Sequence, residues 1–175
     1  MPTADAPTRM TLTDLQTDET VEAMFNPTEL QRRVAVNYAK KPVLGNSHQE
    51  HEYLQTDNMS LRFDLFFLAE TPTELAKLKD SERFLESLCY SDRDPESIAQ
   101  AAPPRVLVVW PRTLSIVGRV LTIDINYQRW NRFGDVTQFT ATLAMEESRV
   151  RRLSKQDVRL LGALRTPQSQ GKLIE

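Results

Sequence analysis

The stretch Met59 to Leu68, Met-Ser-Leu-Arg-Phe-Asp-Leu-Phe-Phe-Leu, constrains the fold more than any other. Met59, Leu61, Phe63, Leu65 and Phe67 share one parity, while Ser60, Arg62 and Asp64 take the other and give way to Phe66 and Leu68. A period of two is that of a β-strand, here half-buried at its start and apolar on both faces at its end. The second face therefore needs a cover at that end, either a helix of the same chain or a neighbouring subunit.

A chain of 175 residues holds one domain with a real core and a tail, and is too short for two ordinary domains. With 26% charged residues and a net charge of -2, composition gives no general reason to expect nucleic acid or an anionic membrane as partner. The charge is unevenly placed. From Ser148 to Glu175 seven Lys/Arg stand against Asp157 and Glu175, a local +5, so the preceding residues carry -7. Cys89 is the only cysteine, which rules out an intrachain disulfide and fits a reducing compartment. Met1 to Arg9 lacks an apolar leader core, and no run approaches the ~20 apolar residues of a spanning helix, so export by a signal peptide is not expected.

Taken in order, residues 1–9 read as a disordered lead-in. Met10, Leu12 and Leu15 begin a strand, Asp18-Glu19 turns it, and Val21, Ala23 and Phe25 return, giving a hairpin that stops at Asn26-Pro27. Leu30, Val34, Val36 and Tyr38 predict extended chain with an irregularity near Gln31. From Ala39 to Thr56 the pattern dissolves into a long polar loop, and loops of that length tend to be functional. Pro72 opens a helix capped by Thr71 or Glu70, with Leu75, Leu78, Leu85 and Leu88 near one face, suited to cover the sheet. Asp94-Pro95-Glu96 starts a short helical turn ended by Pro103-Pro104, and Arg105 to Trp110 is a buried strand closed by Pro111.

Thr113 to Trp130 is a long strand whose apolar parity switches from Leu114 and Ile116 to Leu121, Ile123, Ile125 and Tyr127, which predicts a bulge or bend at Gly118. Asn131 to Asp135 turns the chain, and Phe139, Ala141, Leu143 and Met145 return as its partner. From Ser148 the period becomes helical, with Val150, Leu153, Leu160, Leu161 and Leu164 near one side and a basic remainder, fraying at Pro167. The whole predicts an α+β domain, mainly an antiparallel β-barrel or sandwich, with one covering helix and a C-terminal amphipathic helix. The boundaries are 1–9 for the lead, 10–147 for the β domain and 148–175 for the basic helical tail.

No constellation for catalysis emerges, and no cofactor or metal is expected. His48 and His51, with Glu50, Glu52 and Asp57, are the one cluster with metal-ligand residue types, but the pair lies in a loop without cysteines or a third ligand at a recognisable spacing. Cys89 reads as a small core residue and not a nucleophile. Glu146 and Glu147 project to opposite faces of a strand. The scattered glycines at 45, 118, 134, 162 and 171 form no phosphate loop. The basic segment Arg149 to Arg165 can bind nucleic acid or a membrane surface, but a leucine stripe with solvated charges is better suited to docking on a neighbouring protein.

Phe25-Asn26-Pro27-Thr28-Glu29-Leu30 closes the first hairpin. With Gly45-Asn-Ser47, the Leu61 to Phe67 strand, Pro103 to Trp110, Thr122 to Tyr127 and the turn at Gly134, it resembles the N-terminal domain of contractile injection system tube proteins over most of Leu12 to Glu147. The resemblance implies a non-enzymatic structural subunit, related to the tail-tube subunits of contractile phages, which forms a hexameric ring joining the spike to the inner tube and seeds tube polymerisation. Many members carry a LysM module after this domain; here the basic segment follows Glu147, and Pro111 stands where the pattern has glycine after the tryptophan.

The implied partners are further copies of the chain, the spike or hub protein, the inner tube protein, and sheath or baseplate wedge proteins. No membrane is implied, and nucleic acid enters only as cargo through the pore. Assembly would take place in the bacterial cytoplasm, into a phage tail or injection particle. Interaction or structural roles fall to Phe25, Asn26, Pro27 and Leu30 at the corner, Gly45 in the arm Ala39 to Thr56, Phe63, Phe67, Trp110, Gly118 and Tyr127 on the strands, and Arg149, Arg151, Arg152, Leu153 and Leu161 on the tail. The alternative is a monomeric β-barrel that binds a ligand or metal through residues 48–57.

Overall fold

The computed structural model of the chain describes residues 8–41, 48–91 and 102–149. The elements run β1 (Thr11–Asp14), β2 (Thr20–Glu22), β3 (Leu30–Arg33), β4 (Val36–Lys41), β5 (Glu50–Thr56), β6 (Ser60–Leu68), α1 (Pro72–Ser87), β7 (Val106–Trp110), β8 (Leu114–Trp130) and β9 (Val136–Glu147). Seven strands form one sheet in the order β2-β1-β7-β8-β9-β6-β3, with every neighbouring pair antiparallel. β4 and β5 form a second sheet of their own. The end strands β2 and β3 do not pair with each other, so the sheet is not a closed barrel and the architecture is that of an α+β sandwich.

The parity of Met59 to Leu68 is realised in β6. Leu61, Phe63, Leu65 and Phe67 are buried, while Arg62 and Asp64 are exposed. β9 lies beside it in register, Phe67 opposite Phe139 and Leu61 opposite Met145, and supplies Phe139, Ala141, Leu143 and Met145 to the same core. The rings of Phe67 and Phe139 stack at 4.8 Å between centroids. Leu12 of β1, Val106 and Val108 of β7, and Leu114, Ile116 and Val120 of β8 complete that face.

Helix α1 covers it with Leu78, Phe84 and Leu85, joined by its C-cap Leu88; Phe84 lies outside the leucine stripe visible in the sequence. The helix starts where Thr71 and Glu74 form a capping box. The Thr71 hydroxyl accepts from the Glu74 amide, and the Glu74 carboxylate accepts from the amides of Glu70 and Thr71, which hold its pKa below the usual carboxylate value. Each buried Leu or Phe contributes about 1.5–3 kcal/mol. Apolar contact therefore holds the helix in place, and the cap sets where it begins.

Within the chain, the second face of β6 is met by the segment after β2 and not by a helix. Phe66 packs on Phe25 at 5.6 Å between centroids, and the Leu68 amide donates to the Met24 sulfur at 3.3 Å, so the segment after β2 lies over that end. This also shortens β2, which stops at Glu22 and does not run to Phe25.

Three further expectations are corrected. The irregularity placed near Gln31 falls at Val34-Ala35, where the chain leaves the main sheet between β3 and β4. The stretch Ala39 to Thr56 is no continuous loop: β4 pairs with β5 from Val36 opposite Thr56 to Lys41 opposite Glu50, and both faces stay largely in solvent, which is why no apolar alternation marks it. The bulge of β8 is not at Gly118, which remains core-facing between Ile116 and Val120; register slips between Val120 and Thr122, so Leu121 is the extra residue. Gly118 serves close approach instead. A Cβ there would stand 2.5 Å from the Glu146 carbonyl oxygen and 2.9 Å from the Met145 Cε. The helical turn expected after Asp94 and the tail helix from Val150 lie outside the described residues.

Gly118→Ala is expected to destabilise the chain by about 1–3 kcal/mol, because the backbone oxygen in its way cannot swing aside. Urea unfolding should give a lower midpoint at an unchanged m-value.

Candidate assembly interface

β7 begins at Val106 opposite Gly118 and runs back toward Leu114, so from Arg119 to Trp130 the strand β8 pairs only with β9 among the described residues. Among the described residues no strand meets its other edge, which is flanked by half-buried Ile123 and Ile125 and by Leu121 and Tyr127, 57% and 38% exposed. A long unpaired edge with apolar neighbours is a template for another strand. At the far side of the sheet, β3 covers β6 only from Ser60 to Phe63, and the outer edge of β3 is the other end of the sheet.

The hairpin β4–β5 stands apart from this sheet. Tyr38 lies across from Tyr53 and Lys40 across from His51, which places an aromatic cluster on one face, with Tyr38 6.1 Å from each of the Tyr53 and His51 rings. Tyr38, Tyr53, Val36 and Leu54 are all more than two-fifths exposed. At the hairpin's root a polar cleft of about 480 Å³ is lined by Arg33, Gln55, Asp57, Asn58, Ser60 and Glu146. There the Asp57 carboxylate accepts from Asn37 and Gln55, and Asn58 donates to Glu146.

Two polar links tie α1 to the β8–β9 hairpin. Lys79 pairs with Asp135 at 2.8 Å, and this ammonium, with the amide of Asn131, holds the Asp135 carboxyl below the usual range. The Tyr127 hydroxyl donates to Glu82, and this bond to a carboxylate, with partial burial, pushes the phenol up to about 12. In the turn between the strands the Asn131 side chain accepts from the amides of Phe133 and Asp135, and Gly134 takes a φ of 87° that suits glycine.

A family model described as contractile injection system tube protein matches residues 8–155. The chain belongs to this family. It is thus a structural protein related to the tubes of contractile injection systems. No curated protein sequence matches it. Among solved structures it is similar to a chain in the tail of an empty gene transfer agent particle refined with C6 symmetry, at 12% identity and a TM-score of 0.41, covering 87% of this chain and 99% of that one. It is also similar to a chain of the six-fold symmetrised anti-feeding prophage baseplate, at 14% identity and a TM-score of 0.36, covering 88% and 98%.

The other residues singled out in the sequence fall in separate places on the tube protein. Asn26 ties the corner to the chain's start, its Oδ1 accepting from the Met10 amide at 2.8 Å and its Nδ2 donating to the Thr8 carbonyl at 2.9 Å. Pro27 is buried beside it, Phe25 is half exposed, and Leu30 opens β3 opposite Phe63. Phe63 and Phe67 are core residues, and Trp110 at the end of β7 is half-buried against the core cluster. Pro111 begins the turn into β8, and Arg112 takes the positive φ of 66°.

Arg149 pairs with Glu147 at 2.5 Å, whereas Gly45, Arg151, Arg152, Leu153 and Leu161 lie outside the described residues. Cys89 is exposed and not a core residue; partial burial of its sulfur, then Glu86, raise its thiol pKa, which disfavours the nucleophilic thiolate. Residues 48–57 are mostly strand, and no group of three or more His, Cys, Asp or Glu converges among the described residues. The Glu82 and Lys79 links escaped sequence reading, whereas the long strands Met59 to Leu68 and Thr113 to Trp130 already offer usable edges in the sequence, and the pairing adds which edge of β8 is open. The signal for that edge was the length of Thr113 to Trp130 against the shorter run Arg105 to Trp110.

The raised Tyr127 phenol contributes stability that is complete below the ordinary value of 10.0 and lost as pH rises through about 12. Of the four tyrosines, one should therefore titrate near 12 by ultraviolet absorbance in the native protein. Glu82→Gln should bring it back toward 10.0, and an unchanged high titration in that variant would sink the assignment.

Proposed function

We propose that this tube protein forms a homo-oligomeric, hexameric ring at the baseplate hub, between the spike and the inner tube, where it templates the first layer of tube. The observation that supports this most is the free edge of β8 from Arg119 to Trp130. An open edge of this length is a liability in a lone subunit and an asset where the sheet continues into the next copy. A head-to-tail contact of this kind closes into a ring when its rotation divides the circle. In this reading the chain has no enzymatic role, the corner Phe25 to Leu30 fixes the entry to β3, and β4–β5 is the arm that reaches a neighbour. One ring face would match the spike or hub and the other the first tube ring, with sheath or wedge proteins outside and cargo passing through the pore. Val150 to Leu164 is then the docking element for the next component.

Light scattering behind size exclusion over a concentration series, with negative-stain images of any large peak, tests the ring. Six-fold particles with a central pore are expected, if need be only after the cognate spike is added. A chain that stays monomeric with the spike present overturns the reading. Tyr38→Ser with Tyr53→Ser is expected to lower the unfolding free energy by no more than about 1 kcal/mol, the worth of one exposed cross-strand pair, and to abolish the rings. Removal of 148–175 should leave rings intact and abolish their docking to the next baseplate component; truncated chains that fall to monomers would refute that role for the tail.

A further inference from the structure

The β8 edge raises the question of what covers it before assembly. Its apolar strip, Leu121 with Ile123, Ile125 and Tyr127, spans about 20 Å of strand. The chain leaves β9 at the head of this strip, where the Ser148 amide donates to the Val117 carbonyl at 2.9 Å and Arg149 pairs with Glu147. The sequence that follows carries a leucine stripe at helical spacing over 150–164, which as a helix measures about 22 Å. Of its other side chains Arg151, Arg152, Lys155 and Arg159 are basic and Asp157 is acidic. Point of exit, length and apolar content match.

We infer that in the unassembled subunit the segment 150–164 seats on the Leu121–Tyr127 strip of its own chain and guards the free edge of β8. The seat is independent of the ring, whereas the guarding role rests on the ring reading proposed above. The guarded stripe is the same surface that would dock a neighbour, so the two uses exclude each other: pairing of the edge with the next copy releases the segment for the following component. A seat occupied about nine-tenths of the time lowers the apparent affinity of the edge for its partner roughly tenfold.

The seat is tested in the full chain by placing p-benzoylphenylalanine at position 161 and irradiating an equimolar mixture of light and 15N-labelled copies. Insertion into the peptide around Leu121 to Tyr127, with both partners of each cross-link carrying the same label, is the expected result. Cross-links of mixed label would place the seat between copies and overturn the inference, as would insertion elsewhere. Absence of insertion, together with Leu160→Asp, Leu161→Asp chains that lose affinity for duplex DNA or anionic vesicles, would assign the segment to polyanions instead.

The guard is tested by the same double variant, which should form rings at a concentration roughly tenfold lower than the unaltered chain. An unchanged threshold overturns it. If neither chain forms rings, even on the spike, the ring reading and the guard fail together, while the cross-link still decides the seat.

Discussion

Everything in this fold hangs on β9 being paired along both of its edges. β6 lies on one side and β8 on the other, and the core-facing residues of all three alternate in step, Phe67 beside Phe139 beside Tyr127. A slip of one residue in either pairing would turn Phe139, Ala141, Leu143 and Met145 toward solvent and bring Thr140 and Thr142 into the core. At about 1.5–3 kcal/mol for each of Phe139, Leu143 and Met145, such a slip costs an amount comparable to the marginal stability of a typical domain. Gly118 allows this tight pairing at its narrow end, where β8 passes the Glu146 carbonyl.

The same arrangement leaves the sheet unfinished. β8 and β6 outrun their outer neighbours, β7 and β3, because these are short strands whose partners continue past them. The bulge at Leu121 marks the point on β8 where burial falls away: before it Leu114, Ile116 and Val120 are buried, and beyond it Ile123 and Ile125 are only half so. One strand thus serves as core in its first part and as surface in its second. The switch in apolar parity recorded in the sequence is the trace of this change.

The parts of the fold legible in the sequence are those where burial is one-sided and strong. β6, β9, the cap at Thr71 and the strand closed by Pro111 each carry a period or a stop signal that packing then satisfies. The hairpin β4–β5 carries no period because neither face is buried in the subunit, so its strands read as polar loop. The bulge was legible as a parity switch but not in its position, since glycine suggests a bend equally well where it only permits close approach, as Gly118 does. Cys89 read as core because it follows the buried Leu88, but the helix has ended there and the chain turns outward. As for the candidate interface, its residues and long strands were visible one by one, but which edge of β8 is free is a relation between strand lengths, and only the pairing reveals it.

An isolated two-stranded hairpin is marginal in water, and its cross-strand pairs contribute about 0.2–1 kcal/mol each. In β4–β5 those pairs include Tyr38 with Tyr53 and an exposed ion pair between Lys41 and Glu52, contacts too weak to fix the ribbon's orientation by themselves. The rest of its support is at the root, where Asp57 gathers Asn37 and Gln55 and its amide donates to the Ala35 carbonyl. Its aromatic face therefore gains most of its packing only when another surface covers it. In the ring reading, the ordering of the arm and the pairing of the β8 edge would reinforce each other, so that assembly is cooperative from the first contact and a lone subunit has little to gain from either.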